Sequence, residues 1–269
     1  MNAAEQSRYL TAMGIPVWRP KADKTLLAAE QESTPLIPST LSPSHTPMPE
    51  SLHQAALNEI APSTFTPKMV ETPKAVQPNI LSCTGMDWVE LQQLVSTCTR
   101  CGLAKTRTKT VFGSGDTSAN WMIVGEAPGA DEDRQGLPFV GRAGKLLTSM
   151  LGAIGLEREQ VYILNMLKCR PPNNRDPSKE EVTLCRGYLE RQIELVQPKL
   201  ILVVGRIAAQ HLLNTEAPLA RLRGQVHTLP SLKTPVVVTY HPAYLLRKPM
   251  DKRKAWQDLQ LAQQLSQTW

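Results

Sequence analysis

The chain has 269 residues and is uneven along its length: residues 1–85 hold 11 of the 22 prolines and carry 6 Lys+Arg against 7 Asp+Glu, a net −1, whereas residues 86–269 carry 24 against 17, a net +7. The second part is long enough to bury a sizeable core, and no uncharged apolar run reaches the roughly 20 residues that a bilayer requires, which excludes an integral helical membrane protein. Met1 to Leu10 lacks the basic and apolar regions of a secretory signal, so a cytoplasmic location is expected. Five cysteines, an odd number with one tight pair, fit reduced thiols or a metal centre better than a disulfide framework.

In chain order, Ser7 to Pro20 (SRYLTAMGIPVWRP) comes first, with Tyr9, Leu10, Met13, Ile15 and Trp18 standing out as either a frayed end or a short docking peptide. Ser33 to Pro78 is rich in Pro, Ser, Thr and Ala and reads as a disordered tether, leaving residues 86–269 as the folded domain. Asp87 and Glu90 have capping-box spacing, and Trp88, Leu91, Leu94 and Val95 recur at helical intervals. Four apolar runs then read as buried parallel strands: Trp121 to Val124, Val161 to Leu164, Leu200 to Val204 and Val236 to Thr239. Helical stretches separate or follow them at Ala143 to Ile154, Ser178 to Val196, Ile207 to Leu213 and Arg253 to Leu265. This alternation predicts a three-layer α/β/α sandwich around a four-stranded parallel sheet.

The unusual segments follow directly on those strands: Gly125-Glu126-Ala127-Pro128-Gly129, then Asn165 to Pro172 (NMLKCRPP), Gly205-Arg206, and His241 to Arg247 (HPAYLLR). In an open parallel sheet the strand carboxyl ends line the ligand crevice, so the four segments are expected to converge. Cys98 and Cys101 form a C-x2-C pair, and Cys169 and Cys185 lie across a strand-to-helix connection. Four such thiolates suit zinc and a 4Fe-4S cluster alike. Cys83 has no apparent partner. Lys105, Arg107, Lys109, Arg170, Arg175, Arg221, Arg223, Arg247 and Lys248 are available for phosphate contacts, or are ordinary surface cations.

GEAPGADEDRQGLPFVGRAGKLL, NMLKCRPPNNRDP and HPAYLLR resemble the three signature stretches of the family 4 uracil-DNA glycosylases, over about residues 86–265. The resemblance implies hydrolysis of the N-glycosidic bond of deoxyuridine in single- or double-stranded DNA, and a 4Fe-4S cluster on Cys98, Cys101, Cys169 and Cys185. An enzyme of this kind takes the base out of the stack into a pocket that reads its edge. Phe139 matches the family's stacking aromatic, and Gly125 and Ala127 border the substrate. Asn165, at a strand end, can donate to a uracil carbonyl and accept from N3–H, a pattern that cytosine cannot satisfy. His241 is expected to stabilise negative charge on the leaving base. Glu126 is expected to orient water, stabilise the cationic sugar or hold the loop, with Asp131 or Glu132 sharing the work. The better-known relatives carry a water-positioning aspartate one residue later, where this chain has Ala127. Tyr244, Leu245 and Leu246 are candidates for a wedge into the vacated stack, and Arg170, Arg175, Arg223 and Arg247 for DNA contacts.

The competing reading is a non-catalytic DNA-binding or replication-associated adaptor on the same fold; an iron-sulfur electron carrier leaves Asn165 and His241 unexplained. Residues 7–20 also resemble the opening of the psi subunit of the bacterial clamp loader, with Leu10, Met13, Gly14, Ile15 and Trp18 at comparable intervals. That resemblance implies a replication factor as partner, for a protein otherwise expected to be monomeric.

Overall fold

A computed structural model of the chain describes Ser7, Leu10, Thr11, Met13 and Gly14, then residues 82–229 and 233–269. The tether at 33–78, and Trp18 of the docking peptide, lie outside the described residues.

Helix α1 (Trp88–Ser96) starts where the capping box predicts: the Asp87 side chain accepts the Glu90 N–H and the Glu90 side chain accepts the Asp87 N–H, both at 2.9 Å. Among the described residues six strands follow, β1 (Ser114–Gly115), β2 (Trp121–Gly125), β3 (Tyr162–Asn165), β4 (Leu200–Val204), β5 (Val226–Thr228) and β6 (Pro235–Thr239). They form one sheet in the order β1-β3-β2-β4-β6-β5. The inner four are parallel and are the four strands expected from the apolar runs. The edges β1 and β5 pair antiparallel. They went unread because two or three half-exposed residues carry no measurable period.

The other helices are α2 (Ala130–Gln135), α3 (Arg142–Ala153), α4 (Lys179–Val196), α5 (Arg206–Leu212), α6 (Leu219–Leu222), α7 (Pro242–Arg247) and α8 (Lys252–Ser266). Because side chains alternate across a strand, Met122 and Val124 of β2 join α4 and α5 residues such as Ile193 and Ala208 on one face. Trp121 and Ile123 join Leu147 and Met150 of α3 and Leu259 of α8 on the other. The sheet is thus covered on both sides, and every residue of β2, β3 and β4 is buried. Met13 is fully buried in the second cluster, so this residue of the N-terminal peptide packs into the chain's own core. Among the described residues no helix is long and apolar enough to cross a membrane.

Candidate active site

Parallel strands deliver their carboxyl ends to one edge of the sheet, and there the loops after β2, β3 and β6 enclose a cavity of about 410 Å³. Glu126 and Ala127, Asn165, and His241 with Tyr244 reach it from those three loops, and Phe139 closes it from the segment before α3. The Gly205-Arg206 segment does not line the cavity; the Gly205 backbone packs behind the His241 side chain, and Arg206 faces a neighbouring groove.

Gly125, the last residue of β2, makes the pocket possible. A Cβ there would stand 2.6 Å from Phe139 Cζ and closer still to Asn165 Oδ1, so only glycine lets the ring and the carboxamide approach over the strand end. Phe139 has φ 52°, a strained value for an aromatic residue. Its neighbours hold it there: Glu132 Oε1 accepts the Val140 and Gly141 amides at 3.0 and 3.1 Å, and Arg158 donates to the Pro138 carbonyl. The other oxygen of Glu132 accepts the Gly129 amide at 3.1 Å, so this carboxylate knits the loop. Asp131 pairs with Arg134.

Asn165 is buried, and its Oδ1 has no hydrogen-bond partner among the described residues. An orphaned buried acceptor is costly unless something else satisfies it. The His241 ring lies 5.7 Å from that of Phe139 at 31°. His241 Nδ1 accepts the Ala243 amide at 3.1 Å, which leaves the proton of the neutral ring on Nε2. Burial and then Arg247 push its pKa down to about 4, against the pull of Glu132, so the ring is neutral at ordinary pH. Glu126 behaves oppositely: burial, followed by the negative Asp176, pushes its carboxyl up to about 7, with Arg206 opposing. Among the described residues no hydrogen bond engages the Glu126 carboxylate. A neutral imidazole donor thus shares the cavity with a carboxylate that titrates near neutrality.

The basic and wedge residues divide by their partners. Arg247 is exposed at the rim. Arg175 pairs in a fork with Glu181 at 2.9 and 2.6 Å, and Arg170 bonds Asn174 at 2.8 Å. Arg223 is held by fully buried Asp258 at 3.0 and 2.9 Å and covers the Tyr240 ring, which stacks on Tyr244. Of the wedge candidates, Leu245 is fully buried in the core, Tyr244 donates to Asp251 at 2.7 Å, and Leu246 is presented to solvent, 43% exposed.

Cys98, Cys101, Cys169 and Cys185 line a second, small cavity on the far side of the loop after β3. Among the described residues no three His, Cys, Asp or Glu side chains close on a point suited to a single metal ion. The donor set nevertheless fits a four-thiolate cluster, which spaces its sulfurs more widely than one ion does. The Tyr188 hydroxyl is buried on the same cavity with the Cys98 sulfur as its polar neighbour, and Arg107 donates to Cys169 Sγ at 3.1 Å. Cys83 is buried beside α1 in an apolar cluster that Cys98 and Cys185 also border.

Sequence reasoning passed over Lys168, buried on this cavity, and the loop-knitting job of Glu132. A lysine inside the apolar run MLKC was the available signal for the first; nothing in the spacing pointed to the second.

The uracil DNA glycosylase superfamily matches residues 112–260, the span that holds the sheet and the strand-end cavity. The chain is 50% identical over 161 residues to a type-4 uracil-DNA glycosylase of Archaeoglobus fulgidus, covering 58% of this chain and 81% of the relative. It is 41% identical over 191 residues to one of Sulfurisphaera tokodaii, covering 68% and 87%. A DNA polymerase of Bacillus phage SP01 is 30% identical over 142 residues, which are 52% of this chain and 15% of the polymerase. The chain belongs to the uracil DNA glycosylase superfamily and, within it, to the type-4 family.

Proposed function

We propose that the strand-end cavity is where this type-4 uracil-DNA glycosylase, a DNA-repair hydrolase of N-glycosyl bonds, binds flipped deoxyuridine and cuts its C1′–N1 bond. The unpartnered Asn165 Oδ1 carries the reading: it is an acceptor waiting for the uracil N3–H, while the amide nitrogen faces a carbonyl. Cytosine offers an acceptor at N3 and a donor at C4, so both contacts fail. Phe139 stacks on the base, and Gly125 and Ala127 let it approach the backbone. Ionised Glu126 orients water toward C1′ and takes its proton. The water oxygen bonds C1′, the C1′–N1 pair departs with uracil, and neutral His241 donates from Nε2 to the negative charge that gathers on the ring. Arg170, Arg175 and Arg247 meet phosphates, and Leu246 enters the vacated stack.

Cys98, Cys101, Cys169 and Cys185 hold a 4Fe-4S cluster in this reading; it supplies a structural pin on the loop that follows Asn165. Residues 1–85 act as an extension to the domain at 86–269, and residues 7–20 dock on a replication factor. Docking would exchange the internal burial of Met13 for the partner surface. The enzyme acts as a monomer in the cytoplasm. Uracil release from a labelled single-stranded oligonucleotide tests the central reading: wild-type protein should cleave, and Asn165→Ala should cut the single-turnover rate by roughly 100-fold. Equal rates would place the pocket elsewhere.

A further inference from the structure

Lys168 is 1% exposed. Its ammonium has no carboxylate partner among the described residues; it donates to the backbone carbonyl of Asn165 at 2.7 Å and, more weakly, to that of Phe112 at 3.4 Å. A buried cation held by two carbonyls alone is among the costliest arrangements in a protein interior. The sulfurs of Cys169 and Cys185 share the small cavity with it and would carry negative charge toward it on ligating a cluster. Lys168 therefore stands between two sites: its charge faces the cysteines, and its hydrogen bond fixes the residue at the end of β3 whose carboxamide points into the larger cavity.

We infer that Lys168 is a positioning residue that ties the four-cysteine site to the base pocket, its charge answering the thiolates and its Nζ holding the Asn165 backbone in the register that reads uracil. This rests on the proposed roles of Asn165 and of the cysteines. The arrangement explains why an ammonium tolerates this depth: with the thiolates in place it is a counter-charge, and the tie to Asn165 follows from its reach. Arg107, donating to Cys169 Sγ at 3.1 Å, is a second cation on the same thiolate set but has no contact with the pocket.

The test compares purified iron-loaded wild type with Lys168→Met, which keeps length and apolar bulk but removes the charge and the donor. Iron content per folded protein should stay at the wild-type level because all four cysteines remain. The cluster's reduction potential should move to a more negative value, since a nearby positive charge that favours the reduced form is gone. Single-turnover uracil release at saturating DNA should fall roughly 10-fold, the scale at which outer partners of a metal site act. A wild-type potential or a wild-type rate in this variant overturns the inference. Lys168→Arg keeps the charge and shifts the donor, so it guards against misfolding of the first variant: the potential should match wild type while the rate falls, and a potential displaced as in Lys168→Met would contradict the charge role. Wild-type protein that fails to release uracil contradicts the proposed function instead, which keeps the two failures apart.

Discussion

The base cavity and the cysteine cavity hang from the same loop after β3, Asn165 on one side and Cys169 on the other, and each holds a buried polar atom poorly satisfied by the described protein: Asn165 Oδ1 in the first, and in the second the Tyr188 hydroxyl, whose neighbour is the Cys98 sulfur. A third buried polar site has no such deficit. Asp258 is satisfied by Arg223, by Thr239 Oγ1 at 2.8 Å and by the Gly224 amide at 3.1 Å. Since buried polar groups are nearly always paired, a network complete within the protein stands against two that the proposed ligands would complete, although the buried Gln192 Oε1, which lines neither cavity, is also unpartnered.

If the cysteine cavity is completed by a cluster, Cys169→Ser should lose both iron and soluble folded protein, measured by iron assay and circular dichroism, because site formation is coupled to folding. An apo variant that folds as well as wild type would break the comparison there. The complete network predicts a pure stability effect. Arg223→Ala leaves Asp258 buried without its cation and should cost about 3–5 kcal/mol in denaturant unfolding, with DNA affinity of the remaining folded protein unchanged. A normal stability with weakened DNA binding would return Arg223 to the DNA surface. Within the base cavity, Gly125→Ala drives a methyl into Phe139 and Asn165, and should lower single-turnover cleavage by about 100-fold through misplacement alone.

The smallest effect concerns pH. With Glu126 titrating at about 7 in the fold against an ordinary 4.5, cleavage should rise with pH to a plateau above about 7, and Glu126→Gln should flatten that limb while lowering the plateau roughly 10-fold. The sign for stability is reversed: the folded state keeps this proton longer than the unfolded chain, so the contribution is present below pH 4.5 and lost as pH rises through 7. His241, at about 4, stays neutral across this range and adds no second limb. A rate that falls between pH 6 and 8 would contradict the assignment of Glu126 as base.

Much of this was legible in the chain because parallel strands advertise themselves. The runs at 121–124, 161–164, 200–204 and 236–239 are almost wholly apolar, as strands buried on both faces tend to be, and the motifs follow them at once. The edge strands were too short to show a period, and α7 was hidden because HPAYLLR reads equally as a loop. The partners of individual cations were not legible at all. Nothing in the order of residues shows that Asp258, 35 positions on, takes up Arg223, or that Leu245 turns inward while Leu246 turns out. Those choices depend on where α7 and α8 pack, which is tertiary geometry.

In the proposed reaction His241 is the donor that faces the leaving base. Single-turnover uracil release by His241→Ala, at saturating oligonucleotide and pH 8, is its most direct test: the rate should drop by roughly 100-fold or more, the scale for removing one donor from developing negative charge, while the DNA dissociation constant stays within about twofold of wild type. A variant that cleaves at the wild-type rate would contradict the placement of the chemistry in this cavity.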